Sequence, residues 1–151
     1  MIRTVTLKII ILSLCLYMYN TSHFQGGTIT YKILDIYGST VSIMITQTYL
    51  YRWPLVYCDN TRILSQSTPN SSTFSEYNST LNCVANCTTT GGYSPVPVRT
   101  FCTDYSSNMA ISVTQRTDTV NLTSGAYFTV AFASYVIVTF YLIISLFVIF
   151  N

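Results

Sequence analysis

The stretch Thr40–Arg52, "TVSIMITQTYLYR", decides the fold. Its residues alternate with a period of two, and the exceptions Met44 and Leu50 are apolar residues on the polar side. Alternating β-branched and aromatic residues are typical of a strand with one buried face. The side predicted to be buried carries Val41, Ile43, Ile45, Tyr49 and Tyr51, and the other carries Ser42, Thr46, Thr48 and Arg52.

Further strands are predicted on both sides of this stretch. "TITYKIL" (28–34) alternates in the same way, and the turn signal at Gly38-Ser39 predicts that the two stretches pair as a hairpin. "PVPVRTFC" (95–102) and "NMAISVTQR" (108–116) also indicate strands, the second with Met109, Ile111 and Val113 facing inward. Short strands between Gly, Pro, Asn and Ser turns predict a mainly β protein, a small antiparallel β-sandwich of the immunoglobulin-like or fibronectin-like kind.

The charge composition excludes one class of function. Of 151 residues only 8% are charged, against about 25% in an average soluble domain. The net charge of +2 comes from Arg3 and Lys8, and the remaining charges balance. A nucleic-acid partner is not expected, because its phosphates require a surplus of Lys and Arg.

The first 22 residues have the pattern of a secretory signal peptide. Arg3 and Lys8 precede the apolar run Ile9–Tyr19, which is too short to span about 30 Å of hydrocarbon as a helix. We expect cleavage after Ser22, and an uncleaved signal anchor is the alternative.

The C-terminal segment 126–151 predicts attachment to a membrane. Ala126–Phe150 contains no charged residue and is long enough to cross a bilayer as a helix. No basic residue follows it, which favours a signal for a glycosylphosphatidylinositol (GPI) anchor attached at Ser124, and a transmembrane helix without a cytoplasmic tail is the alternative. Both interpretations divide the chain into a β-domain at 23–120, a juxtamembrane linker at 121–125 and the membrane segment.

Four cysteines predict two disulfide bonds. The chain has five, and Cys15 lies in the predicted signal peptide. The others are an even set in an oxidising compartment, and the lack of a histidine near them argues against a zinc site. Of three possible connectivities we favour Cys83–Cys87 within "CVANC", with Cys58–Cys102 as the long bridge. By loop-closure entropy the long bridge stabilises the fold by about 3–4 kcal/mol.

Glycosylation acceptors agree with an extracellular location. Outside the predicted signal peptide, the sites of the form Asn-x-Ser/Thr are Asn70, Asn78, Asn86 and Asn121. Asn70 and Asn78 are the stronger candidates, because the Ser/Thr-rich stretch around them has the composition of an exposed loop. Asn86 lies between paired cysteines, and Asn121 lies close to the predicted membrane segment.

The opening "SHFQGGTITYKI" (22–33), the Cys pair and "FCTDYS" (101–106) resemble an extracellular module of invertebrate cell-surface proteins. That module opens Ser-His-Phe-Arg-Gly-Gly-Thr-Ile-Ser/Thr-Trp, and here Gln25 and Tyr31 replace its Arg and Trp. The likeness covers residues 22 to about 116. It implies a secreted or surface-anchored β-domain, and it supplies no ligand and no catalytic residue.

Catalytic patterns are not evident. His23 is the single histidine and has no nucleophile beside it, and the five acidic residues form no metal-binding cluster, so neither a metal nor another cofactor is expected.

Tyrosine is unusually abundant, with 13 in the chain. Tyr49, Tyr51, Arg52 and Trp53 form a candidate contact surface. We therefore expect a non-enzymatic surface glycoprotein, associated with the membrane, that binds an extracellular protein or glycan. A structural coat glycoprotein is the alternative, and the oligomeric state is open.

Overall fold

The computed structural model of the protein describes residues 23–70, 79–133 and 141–147, and shows two antiparallel β-sheets around one core. The first sheet has the strand order β1-β2-β6-β5 and the second has the order β4-β3-β7-β8. A single-turn helix α1 (Asn60–Leu64) and a 3₁₀ turn (Cys87–Thr89) connect strands. The strands are β1 Phe24–Tyr37, β2 Thr40–Arg52, β3 Thr80–Ala85, β4 Val96–Pro97, β5 Phe101–Ser106, β6 Ile111–Thr123, β7 Tyr127–Ala133 and β8 Tyr141–Phe147. The predicted small β-sandwich is therefore confirmed in outline, and the predicted signal peptide lies outside the described residues.

Strand β2 is the predicted strand, and it pairs with β1 on one side and with β6 on the other. Every second residue is buried, and these residues are Val41, Ile43, Ile45, Gln47, Tyr49 and Tyr51. The residues between them face outward and are half-buried. A period-two pattern in sequence has become a period-two pattern of burial.

The predicted hairpin of β1 and β2 is also present. Gly38 turns the chain with a φ of 58°, a backbone conformation that glycine adopts without steric cost. Gly27 has a different role, because a Cβ atom there would lie 2.7 Å from Cδ1 of Tyr49 and 2.7 Å from the carbonyl oxygen of Thr48. The second glycine of the "GG" pair is therefore required because the Tyr49 ring occupies the space that a Cβ atom would fill.

An aromatic cluster joins the two sheets. The ring of Tyr49 lies 6.1 Å from that of Phe24, 6.3 Å from that of Tyr51 and 6.1 Å from that of Phe132, which belongs to the second sheet. Such edge and tilted ring pairs add about 0.5–1.5 kcal/mol each beyond the burial of area. The cluster fills the end of the core at which the described chain begins.

The predicted inward face of "NMAISVTQR" is wrong. Met109 is 69% exposed, whereas Ser112 and Thr114 are buried. The register explains this, because Ser112 lies opposite Tyr51 and Thr114 opposite Tyr49. Small side chains leave room for the large rings, and their hydroxyl groups are satisfied: Ser112 donates to the carbonyl of Val56 (2.7 Å) and Thr114 bonds Thr100 (2.6 Å).

The C-terminal region differs most from its prediction. Tyr127–Ala133 and Tyr141–Phe147 are the strands β7 and β8, where a helix was predicted, and residues 121–123 of the predicted linker are the end of β6. In the part of the chain that the structure describes, no helix is long and apolar enough to cross a bilayer. Hydropathy counts apolar residues without regard to period, and this region is rich in the β-branched and aromatic residues that strands favour.

Strand β7 belongs to the core. Its residues Phe128, Val130 and Phe132 are buried, as is Ala126 just before it, and β7 pairs with β3 and β8. The side chains that made the region look like a membrane segment therefore form much of the second sheet's inner face.

We predict that Phe128→Ala lowers the free energy of unfolding by about 3–5 kcal/mol, because it empties a fully buried site. Phe128 is 0% exposed, whereas the neighbouring Tyr127 is 39% exposed, so Tyr127→Ala is the matched control. Chemical denaturation measures both variants. Equal effects of the two substitutions would contradict the alternating burial of β7.

Candidate contact surface

Two of the four residues predicted for the contact surface are buried. Tyr49 is 1% exposed and Tyr51 is 3% exposed, so neither can contact a partner. This part of the prediction is wrong, because both tyrosines lie on the inward side of the β2 alternation. Arg52 is exposed and Trp53 is half-buried.

The hydroxyl group of Tyr49 is part of a buried polar chain. It donates to Oε1 of Gln47 (2.7 Å), and Nε2 of Gln47 donates to the carbonyl of Pro97 in β4 (2.9 Å). Burial raises the pKa of Tyr49, because the phenolate would lose its hydration. These two bonds connect the middle of the first sheet to an edge of the second.

We predict that Tyr49→Phe lowers the free energy of unfolding by about 1–3 kcal/mol near pH 7, because Oε1 of Gln47 loses its donor. The pKa of Tyr49 is raised above its ordinary 10.0. The unfolded state therefore ionises first, so the stabilisation is complete below about pH 10 and is lost at higher pH.

Denaturation at pH 8 and pH 10.5 tests this prediction, since the variant should lose less stability between the two values than the parent protein. Tyr105→Phe, at a half-exposed tyrosine of β5, serves as control and should change stability by less than about 0.5 kcal/mol. A variant as stable as the parent near pH 7 would contradict the role of the chain.

At this end of the sandwich, the half-buried Trp53 and the exposed residues Arg52, Leu55 and Met109 form what we call the Trp53 surface. Leu55 is 43% exposed and Met109 is 69% exposed. The backbone N–H of Trp53 donates to the carbonyl of Ala110 (2.9 Å), which brings the turn containing Met109 next to Trp53. Arg52 lies opposite Ile111 in the β2–β6 register. Leu55 and Met109 were missed, because Leu55 carried no pattern and Met109 was assigned to the core.

The Trp53 ring is held against the domain. It lies 6.0 Å from the ring of Tyr57 at an interplanar angle of 33°, and its peptide bond to Pro54 is cis. Nε1 of Trp53 is buried and has no hydrogen-bond partner among the described residues. The indole therefore presents mainly apolar area at the surface.

The long disulfide fixes the segment behind this surface. The sulfur atoms of Cys58 and Cys102 are 2.00 Å apart, and the bond joins the segment to β5. Val56, two residues before Cys58, is fully buried and accepts the hydrogen bond of Ser112. The backbone that follows Trp53 is thus held to β5 by the disulfide and to β6 by the hydrogen bond. The Trp53 surface is therefore largely preformed, which reduces the entropy cost of binding.

The second disulfide lies at the opposite end of the sandwich. The sulfur atoms of Cys83 and Cys87 are 2.14 Å apart, so the two bonds have the connectivity favoured from the sequence. The 3₁₀ turn that begins at Cys87 is held to β7, since Oγ1 of Thr89 donates to the carbonyl of Tyr127 (2.5 Å).

The predicted modification sites are widely separated. Asn70, Asn86 and Asn121 are exposed, on a loop, at a left-handed turn residue (φ 55°) and on β6, and Asn78 lies outside the described residues. Ser124, the predicted lipid attachment site, is half-buried, and its backbone N–H donates to the carbonyl of Ser39 (2.7 Å).

His23 lies beside the Trp53 surface through its backbone, since its carbonyl accepts the N–H of Arg52 (2.8 Å). Among residues 23–70, 79–133 and 141–147, no group of three or more His, Cys, Asp or Glu side chains could hold a metal ion.

Comparison of the chain with models of known protein families, with curated proteins and with solved structures gives no match.

Proposed function

We propose that the protein is a non-enzymatic cell-surface glycoprotein that binds an extracellular protein or glycan through the Trp53 surface. The observation that carries the proposal is a preformed patch in which Trp53, Leu55 and Met109 are accessible beside the cation Arg52. Trp, Met and Arg are enriched at protein interfaces, where a few residues near the centre supply most of the binding energy.

An extracellular location is supported by the cysteines and the glycosylation acceptors. Two disulfides in one small domain are typical of an oxidising compartment. Asn70, Asn86 and Asn121 are accessible to a glycosyltransferase, and the N-terminal pattern is typical of chains that enter the secretory pathway. The likeness to the invertebrate surface module agrees with the same location.

We predict that Trp53→Ala and Met109→Ala, displayed as full chains on cultured cells, each weaken adhesion to a responding spot on glycan and extracellular-protein arrays at least about tenfold, as expected for the centre of an interface. Val84→Ala is the matched control, because Val84 is 50% exposed but lies at the opposite end of the sandwich. Adhesion that is unchanged in both Trp53 and Met109 variants, at equal surface display, contradicts the proposal.

A structural coat glycoprotein is the second candidate, and the three exposed acceptor asparagines favour it. A coat acts through the bulk and hydration of its glycans and needs no specific contact. Removal of the glycans by substituting Gln for all four acceptors, Asn70, Asn78, Asn86 and Asn121, would abolish a coat function and leave adhesion through the Trp53 surface intact.

A lipid anchor attached at Ser124 and the complete second sheet cannot both be present in the same molecule. Attachment of a GPI anchor at Ser124 removes everything after it, including β7 and its buried residues Phe128 and Val130. A molecule with the described core therefore keeps β7.

We predict that any surface signal of the full chain resists phosphatidylinositol-specific phospholipase C, because anchor attachment would remove the strand on which the second sheet is built. Flow cytometry against the ectodomain measures the surface signal, and a known GPI-anchored protein on the same cells serves as the positive control. Release of the chain would show that the GPI-linked form, without β7, is the one at the surface.

A further inference from the structure

The second half of β1 carries apolar side chains that the domain leaves uncovered. Leu34 and Ile36 are each 47% exposed, Ile33 is 37% exposed and Tyr37 is 71% exposed. In the described part of the chain, β1 is an edge strand of the first sheet: β2 is the strand that pairs with it, and β8 of the second sheet lies close to it without pairing. Exposed apolar edge strands are sites at which another strand can add.

Two of these side chains are on the inner face of the sheet. Ile33 lies opposite Ile43 and Ile36 lies opposite Val41, and both partners are 0% exposed. Residues directly opposite each other in an antiparallel pair share a face. The apolar inner face of the sheet therefore continues to its edge, where Ile33 and Ile36 remain partly exposed.

A β-bulge places the two charged side chains of this edge on the same face of the sheet. The register between β1 and β2 shifts between Ile33 and Asp35, so that Lys32 lies opposite Met44 and Asp35 opposite Ser42. Met44 and Ser42 are two residues apart, and Lys32 and Asp35 therefore share the outer face although they are three apart. Within the described residues, neither forms an ion pair.

We propose that this edge, Lys32–Tyr37, binds the same edge of a second copy of the chain about a two-fold axis. If two β1 strands run antiparallel with the axis between Ile33 and Leu34, residues whose numbers sum to 67 lie opposite each other. Lys32 of each copy then faces Asp35 of the other, and Tyr31 faces Ile36. A two-fold interface must be self-complementary, and this edge is so in both charge and apolar character.

The charges favour a second copy over a lipid surface. Asp35 is held as an anion, because hydrogen bonds from the Tyr37 hydroxyl and from the Ile36 N–H (2.7 Å) lower the pKa of its carboxyl group. Insertion of this edge into a bilayer would place that carboxylate in hydrocarbon without an opposite charge, whereas a second copy supplies Lys32. The proposal does not depend on the Trp53 surface, which lies at the other end of the sheet.

Charge reversal tests the proposal with full chains carrying two different epitope tags, co-expressed in cultured cells and co-precipitated. We expect the parent chains to associate, and Lys32→Asp and Asp35→Lys each to lower self-association at least about tenfold, since like charges then face each other twice. Co-expression of Lys32→Asp with Asp35→Lys restores opposite charges at both contacts and should restore co-precipitation, as should the double variant with itself.

Asp104→Lys is the matched control. Asp104 is exposed on β5, at the other edge of the sheet, it also follows a β-bulge, and its Oδ1 accepts the next backbone N–H (2.8 Å) as that of Asp35 does. This variant should associate like the parent chain. Parent chains that do not co-precipitate, or single reversals that associate normally, would overturn the proposal. Flotation of the parent chain with phosphatidylcholine vesicles that is lost in the Leu34→Asp and Ile36→Asp variants, without association of copies, would instead assign the edge to lipid.

Discussion

The alternating burial of β2 is the constraint on which the rest of the structure depends. Because β2 pairs on both sides, its register determines which face of β1 and of β6 turns inward. A slip of one residue would turn Tyr49 and Tyr51 to solvent and bring threonines into the core. Gln47 is the one polar residue on the inner side of β2, and it is tolerated because both ends of its amide group are hydrogen-bonded.

Features that depend on local pattern could be predicted from the sequence. The β1–β2 hairpin follows from two alternating stretches around Gly38, and the disulfide pairing follows from an even set of cysteines with one close pair. The face of β6 could not be predicted, because Ser112 and Thr114 are buried only in response to the tyrosines opposite them. Their burial depends on the register between segments that are distant in sequence, and it cannot be predicted from the hydropathy of one strand.

The C-terminal strands and the contact surface are two further features that the sequence pattern alone did not predict correctly. β7 has apolar residues on both sides, with Ala131 and Val130 both buried, so its sequence lacks the polar alternation by which β2 was recognised. At Tyr49 and Tyr51 the conflict was between composition, which favoured a surface rich in tyrosine, and period, which favoured burial. Period decided the outcome, because a strand has only two faces and the core takes one of them.

The proposed two-fold contact has a consequence for the Trp53 surface. That surface lies near the start of β1, about nine residues from the proposed axis, and antiparallel strands place the two starts at opposite ends of the pair. At about 3.3 Å per residue, two Trp53 surfaces would lie about 60 Å apart and point away from each other. Such a dimer cannot place both surfaces on one small ligand, but it can bridge two. Bridging multiplies weak contacts through effective concentration, so a small patch on each copy would be sufficient for adhesion.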